Sequence, residues 1–278
     1  MRRSGVASAL SGFGVHDHIC WGYEHPEEFV AGAVEFLADG LDAGLQVCYV
    51  APGTTEELTA ALSSSGRLRR ALDTGAARVV SLDGMYGNHE LSDPRRQVTE
   101  YAEATNRAQA AGYKGLRIAA EATGLVDTPE RLDAFVRYEY LVDEYMVDHP
   151  FSALCAYNVA ELGHDAVAQL ACLHPVSNDG TQFRLHATGP PHTAAVSGEL
   201  DMATAQLWPR ALERAQLRPV DGWLRFDAAG LRFVDHRSLA ALDSYAAQRN
   251  VGVLLTSASP LVVRMAQILR LQNVRAHT

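Results

Sequence analysis

The sequence lacks several features that mark common classes of protein. It has no run of like charge, and its 33 acidic against 24 basic residues give a net charge of −9, which excludes direct DNA binding through a basic tail. Its apolar stretches are only a handful of residues long, far short of the roughly 20 that a membrane helix needs. The run from Val6 to Leu10 is also too short for a signal peptide. We therefore expect a cytoplasmic chain without a membrane span.

Cysteine is scarce, and its spacing excludes the common zinc and redox motifs. The four cysteines, Cys20, Cys48, Cys155 and Cys172, stand far apart and form no CxxC pair. Reduced thiols are expected. The sequence also contains no GxxxxGK[ST] loop, which excludes ATP hydrolysis of the P-loop kind.

What the sequence does contain indicates two globular domains. Its 47% hydrophobic content is enough to form real cores, and 278 residues correspond to about two average domains. Charge is unevenly divided: residues 1–180 carry 13 basic and 26 acidic residues (net −13), whereas 181–278 carry 11 and 7 (net +4). We predict a first domain over 1–176, a linker over 177–182 and a second domain over 183–278, because turn-forming residues cluster around the change in charge.

Strand-like and helix-like segments alternate through the first domain. Thr54 and Glu57 form a capping box, and Asp93-Pro94 and Thr128-Pro129 are typical helix starts. Such alternation predicts an α/β fold with a mostly parallel sheet covered by helices on both faces. Residues 183–278 are predicted to form a compact second α/β domain that begins with two short strands.

The second domain carries an ordered set of short motifs. They are Ser197–Asp201, Leu224–Asp227, Gly230–Asp235 and Ser259-Pro260. In this order they resemble the STAS domain of bacterial anti-sigma-factor antagonists. The resemblance implies a partner that is an anti-sigma factor or a switch-type kinase.

The phosphorylation motif of the STAS family is altered in this chain. In that family an Asp is followed by two serines and a glycine, and the second serine is phosphorylated by the partner kinase. Here the stretch reads Asp235-His236-Arg237-Ser238, so arginine stands at the phosphoserine position and the usual phosphoserine switch is expected to be absent. The residues expected to meet the partner are Asp201, Asp235, His236, Arg237 and Ser238.

A metal site is a second hypothesis, in the first domain. His16, His18 and Cys20 are spaced by two and share one face if this stretch is extended, with His25 near enough to add a ligand. Zinc and copper accept imidazole and thiolate. The alternative is that Cys20 is a small apolar core residue.

Motifs spread along the first domain resemble a known sensory family. They are Asp17–Tyr23, Val47–Val50, Gly115–Ile118, Leu154–Tyr157 and His174-Pro175. In sequence order these resemble the MEDS domain, a sensory module of methanogen and methylotroph regulators. The resemblance implies a degenerate RecA-like fold and a small organic ligand.

The matching positions fall at strand ends, where open parallel sheets bind ligands. The predicted ligand-binding residues are His18, Cys20, Tyr23, Arg117, Glu121, Cys155 and Tyr157. Arg117 and Glu121 are four apart and share a face of an extended strand, although an internal ion pair between strand and helix is an equal alternative. A polar loop at 86–90 is a further candidate to close over a ligand, and Tyr138, Tyr140 and Tyr145 are expected to pack in a core or an interface.

These observations favour a signalling regulator rather than an enzyme. A MEDS-like sensor is expected to control a STAS domain without covalent chemistry. The alternatives are a metal-binding or thiol-dependent enzyme that uses Cys20 and His18 or Cys155, and a constitutive scaffold with a vestigial pocket. The sequence names no cofactor and leaves the oligomeric state open, a homodimer included.

Overall fold

The computed structural model describes residues 2–82, 93–178 and 180–278, so the loop predicted at 86–90 lies outside the described residues. The chain divides into two compact units. The first comprises 1–171 and 175–180, and the second comprises 172–174 and 181–278. Among the described helices, none combines the length and the apolar composition that a bilayer crossing requires.

The first unit is built around a seven-stranded sheet. Its elements are β1 (Gly5–Val6), β2 (His18–Tyr23), α1 (Pro26–Asp42), β3 (Gln46–Ala51), α2 (Thr55–Ser63), α3 (Gly66–Thr74), β4 (Ala77–Ser81), α4 (Pro94–Ala110), β5 (Leu116–Glu121), α5 (Pro129–Asp148), β6 (Phe151–Asn158), α6 (Val159–Leu162), α7 (His164–Ala171) and β7 (Val176–Ser177). The strand order is β1-β7-β2-β6-β5-β3-β4, and every neighbouring pair is parallel. The predicted parallel α/β architecture is thereby confirmed.

Local signals in the sequence set the helix starts. The hydroxyl of Thr54 accepts a hydrogen bond from the Glu57 amide at 3.2 Å. Asp93 caps α4, and the Thr128 hydroxyl caps α5. Each cap satisfies amide groups that the first helical turn leaves without an intrahelical acceptor, so these predicted starts are confirmed.

The two faces of the sheet have different surroundings. Helices α1, α2 and α3 cover one face with an apolar core that includes Phe29, Phe36 and Tyr49. On the opposite face, Tyr101 of α4 and Tyr138 of α5 pack near one another, with Tyr101 stacked on Phe151. The tyrosine-rich side of α5 therefore serves packing, as expected.

The second unit contains a five-stranded mixed sheet. Its elements are β8 (Phe183–Ala187), β9 (Ala194–Leu200), α8 (Leu207–Ala215), β10 (Trp223–Val234), α9 (His236–Arg249), β11 (Gly252–Thr256), α10 (Pro260–Leu269) and β12 (Val274–Ala276). The strand order is β12-β11-β10-β9-β8, with β8 antiparallel to β9 and the remaining pairs parallel. Trp208 is buried in the core, and its indole Nε1 donates to the Ser238 carbonyl at 3.2 Å.

Strand β10 is longer than the sequence predicts. The apolar residues of Trp223–Asp227 predict a strand over those five residues alone. The structure continues it to Val234, with register shifts against β9 between Asp227 and Gly230 and between Leu231 and Phe233. Such irregularities break the alternation of buried and exposed residues, which is why the pattern stops short.

Candidate functional site

A buried polar centre forms where β2, α5 and β6 meet, with His18 at its middle. The imidazole Nδ1 lies 2.9 Å from Asp143 Oδ1, and Nε2 lies 3.0 Å from Glu139 Oε2. All three side chains are fully buried. Because a carboxylate has no hydrogen to donate, both ring nitrogens of His18 donate when the two carboxylates are charged, and the ring is then an imidazolium.

The surroundings of His18 bias its protonation in opposite directions. Burial is the largest influence and opposes the charged ring, but the hydrogen bonds and charges of Asp143 and Glu139 outweigh it, so the pKa of His18 is raised. Arg2 pairs with Asp143 from the N-terminal segment. Two cationic and two anionic groups thus balance in the buried centre.

Two residues of β6 complete the centre. The Tyr157 hydroxyl donates to Glu139 Oε1 at 2.6 Å, and the Cys155 Sγ lies 3.5 Å from His18 Nε2 and 3.6 Å from Glu139 Oε2. Burial, followed by the neighbouring Glu139 carboxylate, raises the pKa of the Cys155 thiol and of the Tyr157 phenol well above their ordinary values. Both groups are therefore neutral hydrogen-bond donors in this state.

The same centre holds a group of potential metal ligands. Ligand atoms of His18, Glu139 and Cys155 all lie within 4.8 Å of one another, and all three residues are buried. Among the described residues, this is the group that the structure brings together.

The other residues of the metal hypothesis lie elsewhere. His16 precedes β2 in a turn, where its Nδ1 contacts the carbonyl oxygens of Met146 and His149 at 3.0 and 2.8 Å. Cys20 is buried on β2 opposite Cys155 but is not in this group of ligands, and His25 is the exposed N-cap of α1. The extended conformation assumed for the His16 stretch begins only at His18, so His16 does not share its face.

The predicted ligand-binding residues are divided between the two faces of the sheet. Residues at alternate positions of a strand point to opposite faces. His18, Cys20, Cys155 and Tyr157 lie on the face covered by α5. Tyr23, Arg117 and Glu121 lie on the face covered by α1, so the seven residues do not line one site.

Arg117 is fully buried on the face of the sheet that α1 covers, and it links several segments of the chain there. Its Nη1 lies 3.2 Å from Asp39 Oδ2 on α1, Nε donates to Ser152 Oγ at 3.0 Å, and Nη2 donates to the Phe13 carbonyl at 2.7 Å. Gly40 makes room for this side chain, because a Cβ there would lie 2.6 Å from Arg117 Cδ. The strand-to-helix ion pair considered for Arg117 is present.

Glu121 shares that face, as expected from its spacing, but makes different contacts. Its Oε1 accepts hydrogen bonds from the Tyr23 hydroxyl at 2.9 Å and from the Thr123 amide at 3.0 Å, and the Thr123 hydroxyl also contacts it. Burial is the main reason that the pKa of this carboxyl is raised. At the carboxyl end of β5, the Glu121 carboxylate is thus hydrogen-bonded by other residues of the protein.

An open pocket lies between α4 and strands β3 to β5. Its volume is about 350 Å³. The pocket is lined by apolar side chains, by Gln97 and by four charged residues, which are Arg78, Glu100, Glu103 and Arg107. Gln97 is only 7% exposed, and within the described part of the chain its Nε2 has no hydrogen-bond acceptor. Gln97 therefore lines the pocket, while its Nε2 is itself buried from solvent.

In the second unit, the residues predicted to meet a partner surround the start of α9. Asp235 Oδ1 accepts a hydrogen bond from the Ser238 amide at 2.7 Å, so Asp235 is the N-cap. His236 and Arg237 are exposed, whereas Ser238 is buried. Asp201 caps a short 3₁₀ turn after β9 by accepting from the Ala203 amide at 2.9 Å.

Sequence reasoning missed Gln97 of α4 and the carboxylates Glu139 and Asp143 of α5. Glu139 and Asp143 are four apart and therefore share a helix face, which is a signal for a paired-carboxylate site. That face also carries the buried Tyr140 and Val136, so the carboxylates sit where apolar residues are usual. Gln97 gave no comparable signal, because a glutamine on a polar helix is ordinarily exposed.

The first unit is an α/β domain, because its parallel sheet is covered by helices on both faces. It contains a buried polar centre between α5 and the sheet and an open pocket between α4 and the sheet. The family model described as "MEDS: MEthanogen/methylotroph, DcmR Sensory domain" matches residues 17–175, which is more than half of the chain. The chain belongs to the MEDS family. Because the family consists of sensory domains, a signalling or regulatory role follows.

Other comparisons are more distant. No curated protein matches the chain. The flagellar accessory protein FlaH from Methanocaldococcus jannaschii is 15% identical with a TM-score of 0.39, over 65% of this chain and 76% of that one. The uncharacterized protein PH0321 from Pyrococcus horikoshii, solved in complex with an unknown peptide, is 15% identical with a TM-score of 0.41, over 63% and 80%.

Proposed function

We propose that this protein is a signalling regulator in which the MEDS unit senses a small organic molecule and the second unit transmits the result to a protein partner. The observation that carries the sensory half is the MEDS match over residues 17–175. The second unit is proposed to be a STAS-type domain that binds an anti-sigma factor or a related regulator. No covalent step is part of this proposal.

The pocket beside α4 is the proposed ligand site. Its volume of about 350 Å³ suits a small organic molecule, since ligand pockets typically span about 300–1,000 Å³. Val80, Leu116 and Ile118 offer apolar contact, and Gln97 lines the pocket with an amide whose buried Nε2 would donate to a ligand once the side chain turns toward it. These features favour a compact ligand with an apolar body and one acceptor oxygen, such as an alcohol, an ester or a carboxylate.

The ligand proposal is tested by calorimetry of the full chain with a panel of small oxygen-bearing organic molecules. For any binder, Gln97→Leu is expected to weaken the affinity about fivefold, because it removes a hydrogen bond worth about 1 kcal/mol net. Gln109→Leu on the exposed side of the same helix is the matched control. A panel without binders, or equal affinity for the Gln97 variant and the control, would contradict the assignment.

The geometry at the start of α9 supports a partner-binding surface in the second unit. Asp235 fixes the helix start, and the exposed His236 and Arg237 project a cationic group where STAS proteins carry a phosphoserine. An arginine keeps one charge under all conditions, so regulation by ligand replaces regulation by phosphorylation in this proposal.

The partner proposal is tested by measuring the affinity of the full chain for the anti-sigma factors of its own host. Arg237→Glu reverses the charge at the proposed surface and is expected to weaken the cognate complex at least tenfold. Arg264→Glu makes the same change on the exposed surface of α10 and is the control. If no anti-sigma factor binds, or both variants bind equally, the STAS-type function is wrong.

The environment of the cysteines supports binding rather than thiol catalysis. A cysteine nucleophile requires a thiolate, which forms readily only when the pKa is lowered. Burial instead raises the pKa of Cys155 well above its ordinary value and that of Cys48 to about 12. These directions disfavour the alternative of a thiol-dependent enzyme.

A further inference from the structure

The spacing of the donor atoms in the buried centre suits a tetrahedral metal ion. Bond lengths to zinc of about 2.3 Å for sulfur and about 2.0–2.2 Å for nitrogen and oxygen place N and S about 3.5 Å apart, O and S about 3.6 Å and N and O about 3.4 Å. The corresponding distances from His18 Nε2 to Cys155 Sγ, from Cys155 Sγ to Glu139 Oε2 and from His18 Nε2 to Glu139 Oε2 are 3.5, 3.6 and 3.0 Å. Two distances match, and the third has to open by a few tenths of an ångström.

The chemistry of the donors selects the kind of ion. The set contains a thiol, a carboxylate and an imidazole nitrogen. Magnesium and calcium prefer oxygen ligands alone, whereas zinc accepts nitrogen, sulfur and oxygen in a four-coordinate site. A mixed N, S, O set therefore favours zinc.

The hydrogen bonds around the group are those of an outer shell that orients metal ligands. His18 binds through Nε2 only if Nδ1 holds the proton, and Asp143 accepts from Nδ1 at 2.9 Å. Tyr157 donates to Glu139 Oε1 and leaves Oε2 facing His18 and Cys155. Zinc-bound histidine almost always donates its second ring nitrogen in this way.

The charges of a zinc-loaded centre also balance. The ion brings two positive charges, and its binding releases one proton from His18 Nε2 and one from Cys155 Sγ to solvent. The Cys155 thiolate and the Glu139 carboxylate then cancel the charge of the ion, and Asp143 is already paired with Arg2. A buried site is tolerated when its charges are compensated in this manner.

We propose that the MEDS unit of this protein binds one zinc ion through His18, Glu139 and Cys155 in three of the four coordination positions, with Asp143 and Tyr157 as positioning residues. The ligands are buried, so the ion is enclosed as the chain folds and ties β2, α5 and β6 together. This zinc site is separate from the pocket beside α4, and it stands whether or not that pocket binds an organic ligand.

The test is metal binding by the full chain. Wild-type protein produced with added zinc is expected to contain one zinc per chain by elemental analysis. After unfolding in chelator and refolding with cobalt(II), it is expected to show a thiolate-to-cobalt charge-transfer band. Refolding with zinc is expected to raise the thermal midpoint by several degrees, because the ion binds the folded chain.

Variants locate the site. Cys155→Ser is expected to abolish the charge-transfer band and to lower zinc affinity at least tenfold, and Asp143→Asn to lower that affinity about 10–100-fold with the band retained. Cys48→Ser and Cys20→Ser change buried thiols outside the group and are expected to retain the zinc and the band. The proposal is overturned if the folded wild-type chain takes up no zinc, or if the band survives in Cys155→Ser. Because the wild-type measurement needs no variant, misfolding of a variant leaves the test intact.

Discussion

Replacing Arg117 by methionine tests whether this residue stabilises the fold. A structural residue lowers the free energy of unfolding when it is replaced even if no ligand is present, whereas a residue that only binds ligand does not. Methionine keeps much of the apolar volume but removes the guanidinium. The Phe13 carbonyl and Ser152 Oγ then lose a buried donor, and Asp39 loses its charge partner. An unsatisfied buried acceptor costs about 1–3 kcal/mol, and breaking a buried ion pair costs about 3–5 kcal/mol. We expect a loss of about 3–5 kcal/mol, since Asp39 is partly exposed and rehydrates.

For a unit of this size, 1 kcal/mol corresponds to about 2–4 °C, so the first thermal transition is expected to fall by on the order of 10 °C. The assay is calorimetry of the full chain with ligand absent. Arg131→Met is the control, because it breaks the exposed pair with Asp127 and is expected to cost less than about 1 kcal/mol. If Arg117→Met and the control have the same thermal midpoint, the hydrogen bonds and the ion pair of Arg117 do not stabilise the packing of α1 on the sheet, and the reasoning from these contacts is wrong.

Two further predictions concern pH and phosphorylation. The pKa of Glu121 is raised by burial, so its contribution to stability is complete below the unfolded pKa and is lost as the pH rises through the folded pKa. In urea unfolding, wild type is therefore expected to lose stability relative to Glu121→Gln between about pH 4 and neutrality. Hydrogen bonds from Thr54 lower the pKa of Glu57, so Glu57→Gln is expected to show the opposite trend; the same trend for both would refute the argument. Ser238 is 4% exposed and is expected to carry no phosphate after incubation with host kinases, whereas Arg237→Ser is expected to be modified; stoichiometric phosphate on Ser238 in phosphopeptide mapping would contradict this.

Local signals made much of the secondary structure predictable. Thr54, Asp93 and Thr128 act on amides within three residues, so each helix start is visible without knowing the fold. The apolar segments of β3 and β6 are equally local. By contrast, β1 and β7 are only two residues long, and they are strands because β7 pairs with β2 on one side and with β1 on the other.

The candidate site depended on contacts that no local pattern contains. His18 was a candidate from its spacing, but its partners Glu139 and Asp143 lie more than one hundred residues away along the chain. Which carboxylates face it is decided by the packing of α5 on the sheet. Arg117 and Cys155 were assigned to one site, and only the strand register shows that they point to opposite faces.

The most direct test of the account is the affinity of the full chain for its anti-sigma partner, measured with and without a saturating ligand of the α4 pocket. A sensor coupled to an output is expected to change that affinity about 5–150-fold, the usual range for a coupling of about 1–3 kcal/mol. In Gln97→Leu, the ligand binds more weakly. At a ligand concentration too low to occupy the pocket of this variant, its affinity for the partner is expected to stay unchanged. Equal partner affinity for the free and the ligand-saturated wild-type chain would contradict the proposal that this MEDS protein is a ligand-controlled regulator.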